Sequence, residues 1–299
     1  MASLPASTNP ILASRLEFLA KTQNPDGGWG YFPGKQSWIE PTAWSAIALH
    51  GHPASAQAWQ RLLSWQNQDG SWRPSQDVNV SSWATALCVI IGHLRNEFGE
   101  PYKRGLHWLL TTHDAESTAY YRALGKIGYE VGRDPAHPAW PWKPGDSSWI
   151  EPTAHTLLAL KLAGKRLKIQ EITERIALGE ASIMDQRCQD GGWNYGNRQV
   201  LKVYLPSYPE TTGIALVGLQ NFDAEIIRPS VEKARALLGE RQGRMASAWL
   251  SIALQMHGKE APASTHPDVA PNGDILETAL EAIAAPGGAC HLLKTGGAA

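Results

Sequence analysis

Cysteine is scarce in this chain: Cys88, Cys188 and Cys290 are the whole complement, and none stands at CxxC spacing. That excludes a disulfide framework and leaves reduced, buried thiols in a cytoplasmic protein as the expectation. Charge excess is missing too. The formal net charge is −1, which removes the electrostatic case for a nucleic-acid partner or an anionic membrane surface. No apolar run is long enough to span a bilayer. The opening MASLPASTNP has no basic patch followed by an apolar stretch, so no secretion signal is expected. Two consecutive aspartates occur nowhere. With hydrophobic residues at 43% and charged ones at 18%, the chain is globular and able to bury a sizeable core.

Tryptophan is where the composition is rich, with thirteen against four phenylalanines. Large flat rings with one donor each suit the stacking positions of a repeat or the wall of an aromatic cavity. Three words, QNPDGGWGYFPG (23–34), QNQDGSWRP (66–74) and QDGGWNYG (189–196), share Gln, Asp-Gly and Trp. PAWPWKPG (138–145) is a degenerate fourth. An amphipathic helical pattern precedes each word, as in ILASRLEFLAKTQ, and a more uniformly apolar, Ala-rich one follows, as in EPTAHTLLALKLAG. The amphipathic helices are expected outside and the apolar ones inside. Five such pairs and a terminal helix in GDILETALEAIAA predict an all-α, α/α toroid in which outer and inner helices alternate. No strand is predicted. One domain over residues 1–299 is expected, with its core at about 11–285, and GKEAPASTHPDVAPNGD (258–274) is the clear loop. The stretch at 113–142 interrupts the repeat and reads as a lid, a cavity wall or a packed extra helix.

One word recurs unbroken. SWIEPTA stands at 37–43 and again at 148–154, placing Glu40 and Glu151 at two equivalent helix heads. The fourth unit offers Glu210 in YPETTG, after Tyr208, and the second has Trp83 near that point. Glu-Pro-Thr is a good helix start in its own right, because Pro suits the first turn and a carboxylate suits the positive end. A chemical reading stands beside the structural one. If all inner helices run the same way, the three glutamates share one mouth, where confinement and like charge raise their pKa values. One turn deeper come Trp44, His155 and Ile214. A lone His on an apolar helix is ordinarily a hydrogen-bonded core residue, and that reading stands for His155 too.

The Gln…Gly-Trp words resemble the QW repeat of terpenoid cyclases such as squalene–hopene cyclase, and the paired-helix toroid is shared with protein prenyltransferase β subunits. The resemblance runs from about Ile11 to about Ala285. It implies that Gln23, Trp29, Gln66, Trp72 and Trp193 tie the helices together. It also implies proton-initiated, class II cyclisation of an isoprenoid, because WIEPTA is similar to the family's Asp-x-Asp-Asp-Thr-Ala word. Glu40 and Glu151 then fall on the proton-donating Asp, with Trp38 and Trp149 in place of the first Asp and Pro41 and Pro152 in place of the following one. Glu40 above Trp44 is expected to be the proton donor, and Glu151 beside His155 an anion or orienting group. Trp38, Trp44, Trp83, Trp149, His155 and Tyr208 are the expected substrate contacts.

No metal or cofactor is assigned. The prenyltransferase Asp-x-Cys zinc word is matched by Asp190–Gly192, with Gly where the thiolate would be, and the family's His position falls near Thr211. Asp185 and Cys188 are close in sequence without a paired His. Members of the family hold their cavity between two toroids, so a homodimer, a second toroid or a closed lumen is expected here. Two other functions fit the same words: a non-catalytic toroid that binds an apolar ligand or a protein, and a glycan-active toroid with paired carboxylates.

Overall fold

The computed structural model describes residues 9–127, 134–261, 270, 271 and 273–296. Six inner helices form its centre: α2 (Ile39–Ala48), α4 (Thr85–Leu94), α7 (Ile150–Arg166), α9 (Pro209–Gly218), α11 (Arg244–Met256) and α12 (Ile275–Ala284). Each packs on the next, and α12 packs back on α2, so the ring closes. Their composition explains the position. Every residue from Thr85 to Gly92 and from Pro152 to Leu160 is buried, which only a helix enclosed on all sides can satisfy. Small residues let the helices approach. A Cβ on Gly218 would stand 2.7 Å from Ala154 Cα, and one on Gly213 would stand 2.7 Å from the Trp249 carbonyl carbon.

Outside lie α1 (Pro10–Lys21), α3 (Pro53–Leu63), α5 (Glu100–Thr111), α8 (Gln170–Asp185) and α10 (Ala224–Gly239). They bury a single stripe, as Ala54, Ala58, Trp59 and Leu62 of α3 show. The spatial pairing differs from the order of the repeat. Each of α3, α5 and α8 packs on the inner helix before it in the chain, α10 packs on both α9 and α11, and α1 packs on α12. A 3₁₀ turn at Ala289–Leu293 covers α11 and α12, where a sixth outer helix would stand. The interruption at 113–142 supplies one extra helix, α6 (Ala119–Lys126); part of it, 128–133, lies outside the described residues. Two short strands were not predicted. β1 (Gln199–Val200) and β2 (Val203–Tyr204) form an exposed hairpin whose turn residues, Leu201 and Lys202, both have positive φ. The pair is too short to leave a period-2 signal. No described helix is long and apolar enough to cross a membrane.

The repeated words make the same bonds each time. The indole N–H of Trp29, Trp72 and Trp193 donates to the carbonyl ten residues back, at Leu19, Leu62 and Ile183, at 2.7–2.9 Å. Trp140 does the same to Leu109, with the interruption between them. Asp-Gly makes the turn before the Trp: Gly27, Gly70 and Gly191 have φ of 88–94°, a region closed to most side chains. Gln23 and Gln66 each donate to that turn and to the start of the next outer helix, at Ala54 and Pro101. In the third word the residue at this spacing is Arg187, which reaches Ile226 of α10, and the exposed Gln189 is not the counterpart.

The Thr of Glu-Pro-Thr is structural. Thr42 Oγ1 accepts the Trp29 N–H at 2.9 Å and donates to the Trp29 carbonyl at 3.1 Å. Thr85, Thr153 and Thr212 accept from Trp72, Trp140 and Trp193 in the same way. Thr42→Val keeps the shape and leaves the buried Trp29 backbone N–H unpaired, while the Trp29 carbonyl keeps the Trp38 N–H at 2.9 Å, so it is expected to cost about 1–3 kcal/mol. An unchanged urea midpoint would show that the hydroxyl is dispensable.

Candidate active site

The Thr register identifies what stands at each helix head. Two residues before Thr42, Thr153 and Thr212 come Glu40, Glu151 and Glu210, and two before Thr85 comes Trp83. Four repeats thus place three carboxyls and one indole at equivalent points.

The ring gathers the three carboxyls. Glu151 is pushed well above the ordinary glutamate range, by burial first and then by the charges of Glu40 and Glu210. Glu40 is raised by burial, with Glu210 and Asp274 adding to it, against the Tyr31 hydroxyl, which donates to its Oε2 at 2.7 Å and lowers it. Glu210 is raised by burial alone. All three keep part of their surface open to solvent while protein surrounds them, as on the floor of a recess. Among the described residues no hydrogen-bond donor reaches the Glu151 carboxyl. Among the described residues the site therefore holds one carboxyl with a donor to support its charge, Glu40, and two without, Glu151 and Glu210, of which Glu151 is raised further by its neighbours' charge.

Beneath them the lumen is aromatic. His155 stacks on Trp83, with centroids 5.3 Å apart and planes at 20°, and lies 5.4 Å from Trp44 and 5.5 Å from Trp249. Trp44 meets Trp249 edge-on at 5.1 Å, and Trp83 meets Trp142 in the same way at 5.1 Å. Burial lowers the His155 pKa to about 3, so the imidazole is neutral at physiological pH. It is a core residue but not a hydrogen-bonded one. Both ring nitrogens, and the Trp44 indole N–H, have no partner among the described residues. Retaining such groups in a core costs about 1–3 kcal/mol each, a cost that functional sites commonly carry.

The remaining expected contacts are spread more widely. Trp38 is half-buried against Tyr31, with centroids 6.3 Å apart. Tyr208 is exposed and packs on Tyr195 at 5.6 Å. Trp149 borders a crevice with Ser182 of α8 and with Gln186, the residue that follows that helix, outside the group of carboxyls. Ile214 is buried in the inner ring. Three residues of the site were not identified from sequence: Tyr31, Asp274 and Trp249. Tyr31 left a signal, since Tyr31 and Tyr195 both stand two residues after a repeat Trp. Trp249 left none, because it sits mid-helix in a unit that lacks the glycine-rich word.

No protein-family model matches the sequence. Drimenyl diphosphate synthase of Streptantibioticus cattleyicolor is 43% identical over 99 residues, 29% of this chain and 18% of that protein. Squalene–hopene cyclase of Bradyrhizobium diazoefficiens is 32% identical over 80 residues, 21% of this chain and 12% of that one. The chain therefore spans less than a fifth of the length of these curated relatives in the matched stretches. Among solved structures, a variant of the type II terpene cyclase MstE from Scytonema, in complex with its substrate geranylgeranyl dihydroxybenzoate, superimposes with a TM-score of 0.54 at 15% identity, covering 91% of this chain and 75% of that one. The family 8 glycosyl hydrolase Cel10, an endoglucanase of Klebsiella pneumoniae, superimposes with a TM-score of 0.58 at 13% identity, covering 91% and 97%. At such identities the structural likeness carries the fold, and the matched sequence stretches point to the cyclases. This chain is a terpenoid cyclase-like α/α toroid.

Proposed function

We propose that the toroid starts cyclisation of an isoprenoid by protonating one of its alkenes, with Glu151 as the acid. The observation that carries this is the environment of Glu151: burial, two neighbouring carboxyls and no hydrogen-bond donor among the described residues all favour its protonated form. Its proton forms the new C–H bond with the alkene π electrons. The resulting tertiary cation is attacked by the next double bond, and proton loss from the last cation closes the balance. Trp44, Trp83 and Trp249 offer π faces for the cationic intermediates.

This reverses the order expected from sequence. In this reading the negative charge of the pair sits on Glu40, because the Tyr31 hydroxyl offsets part of the rise that burial imposes on it. His155 is neutral, so no imidazolium stands beside Glu151 to lower its pKa. Glu210, raised by burial alone, remains third. Near the carboxyls the surface is aromatic and open: Tyr195, on which the charges of Glu210 and Glu151 bear, is exposed and packs on the exposed Tyr208. A second copy or a second toroid seated there would complete the chamber. The ring is read as one domain with its core at about 11–285, and its three buried free thiols suit a reducing cytoplasm.

One observation favours a second reading. A neutral carboxyl and an ionised one side by side are also the acid and base of glycoside hydrolysis. Incubation with squalene and shorter polyprenyl substrates, in parallel with soluble glucans, and mass spectrometry of the products separates the two. Cyclised hydrocarbon or alcohol is the expected product. Sugar release alone would replace the cyclase reading, and no product from either class would leave a toroid that binds an apolar ligand.

A further inference from the structure

Away from the recess, three donor residues converge without a cation between them. Asp185 is the last residue of α8, and Asp134 and His137 lie in one turn of the interrupting segment. One ligand atom from each can be chosen so that all lie within 4.8 Å of one another. His137 Nδ1 is 2.5 Å from Asp185 Oδ2 and 3.9 Å from Asp134 Oδ2. The roles of the Asp134 oxygens are divided. Oδ1 holds the turn by accepting the Ala136 N–H at 2.9 Å, and Oδ2 faces the imidazole.

The electrostatics call for positive charge here. Asp185 places a carboxylate at the C-terminal, partially negative end of a 16-residue helix whose last turn has no basic residue. Among the described residues no Lys or Arg pairs with Asp134 or Asp185; the imidazole is the sole counter-group to both. Sequence spacing gave Asp185 no histidine partner, and the fold supplies one 48 positions upstream.

We propose that Asp134, His137 and Asp185 bind a first-row divalent metal ion, such as Zn²⁺, that clips the interrupting segment to α8. One imidazole nitrogen and two carboxylate oxygens form a donor set for zinc or manganese, whereas magnesium and calcium favour oxygen alone. The side chains are 31–52% exposed, so water can fill the remaining coordination positions. The clip has a structural consequence. Five residues beyond His137 comes Trp142, whose ring packs on Trp83 and whose carbonyl accepts the Trp83 N–H at 3.0 Å. A bound ion fixes the segment that delivers Trp142 to the edge of the aromatic floor. This proposal stands apart from the reaction assigned to Glu151.

The test is calorimetric titration of metal-free protein with ZnCl₂, and separately with MgCl₂, for wild type, His137→Ala, Asp185→Asn and Asp134→Asn. Wild type is expected to bind one equivalent of Zn²⁺, with affinity lowered at least about tenfold in each variant. Zn²⁺ is expected to raise the melting temperature of wild type and not of the His137 and Asp185 variants. The substituted side chains are partly exposed, and melts without metal establish that each variant is folded. Asp134→Asn, the most exposed, is the safeguard if another variant is not. The absence of saturable Zn²⁺ binding, equal binding in all variants, or Mg²⁺ binding as tightly as Zn²⁺ would each overturn the site.

Discussion

Glu151→Gln is expected to reduce turnover of any isoprenoid that the wild type cyclises by about 10²–10⁴-fold, the range lost with a positioned general acid. Glutamine keeps the size of the side chain and removes only the transferable proton, so the ring should remain intact. Stability carries an independent signature. The folded pKa of Glu151 lies above its unfolded value. The stability this contributes is fully present below the ordinary glutamate range and is lost as pH rises through the raised value. Glu151→Gln has no such proton to lose. The variant should therefore be more stable than wild type at about pH 8, and the difference should shrink towards about pH 4. His155, lowered to about 3, titrates in both proteins and cancels in the comparison. Tyr31→Phe, which removes the donor to Glu40, should raise the pKa of Glu40 and leave Glu151 able to act. Full activity of Glu151→Gln, together with a stability difference that does not vary with pH, would end the neutral-acid assignment.

Trp72→Ala is expected to cost about 3–5 kcal/mol, the range for removing a buried aromatic side chain. The indole is fully buried and donates to Leu62 O at 2.8 Å, so two kinds of stabilisation are lost together. Its ring fills the space beside Gly105, where a Cβ would stand 2.6 Å from the indole carbon Cζ3. Against a typical net stability of about 5–15 kcal/mol, one such change consumes a large fraction of the total. Urea unfolding of wild type and variant measures it. A loss below about 1 kcal/mol, the level of an ordinary substitution, would mean that the indole is not what joins outer to inner helix.

Much of this architecture is written locally, and repetition made it legible. The Asp-Gly turn, the Trp ten residues after its acceptor and the Thr thirteen residues after the Trp (in three of the four copies) are short-range relations that recur. The three glutamates were found in the same way. The hairpin at 199–204 lengthens the fourth copy from 13 to 19 residues between Trp and Thr, and YPETTG still marked the helix head. Where the repeat is degraded, local reading failed. Arg187 stands where two other words have Gln, and Trp249 had no word to announce it.

The sequence by itself determined that the chain is helical, which helices are buried on all sides, and that carboxyls stand at three of their heads. Those properties follow from side-chain periodicity and from hydrogen bonds between residues close in the chain. Only the tertiary structure decided that α12 closes the ring onto α2 and that α1 packs on α12. It alone placed Tyr31 on Glu40, left Glu151 without a donor among the described residues and brought His137 to Asp185. Each of these depends on contacts between distant segments. A carboxyl's proton affinity is set by whatever closes around it, and no spacing along the chain encodes that.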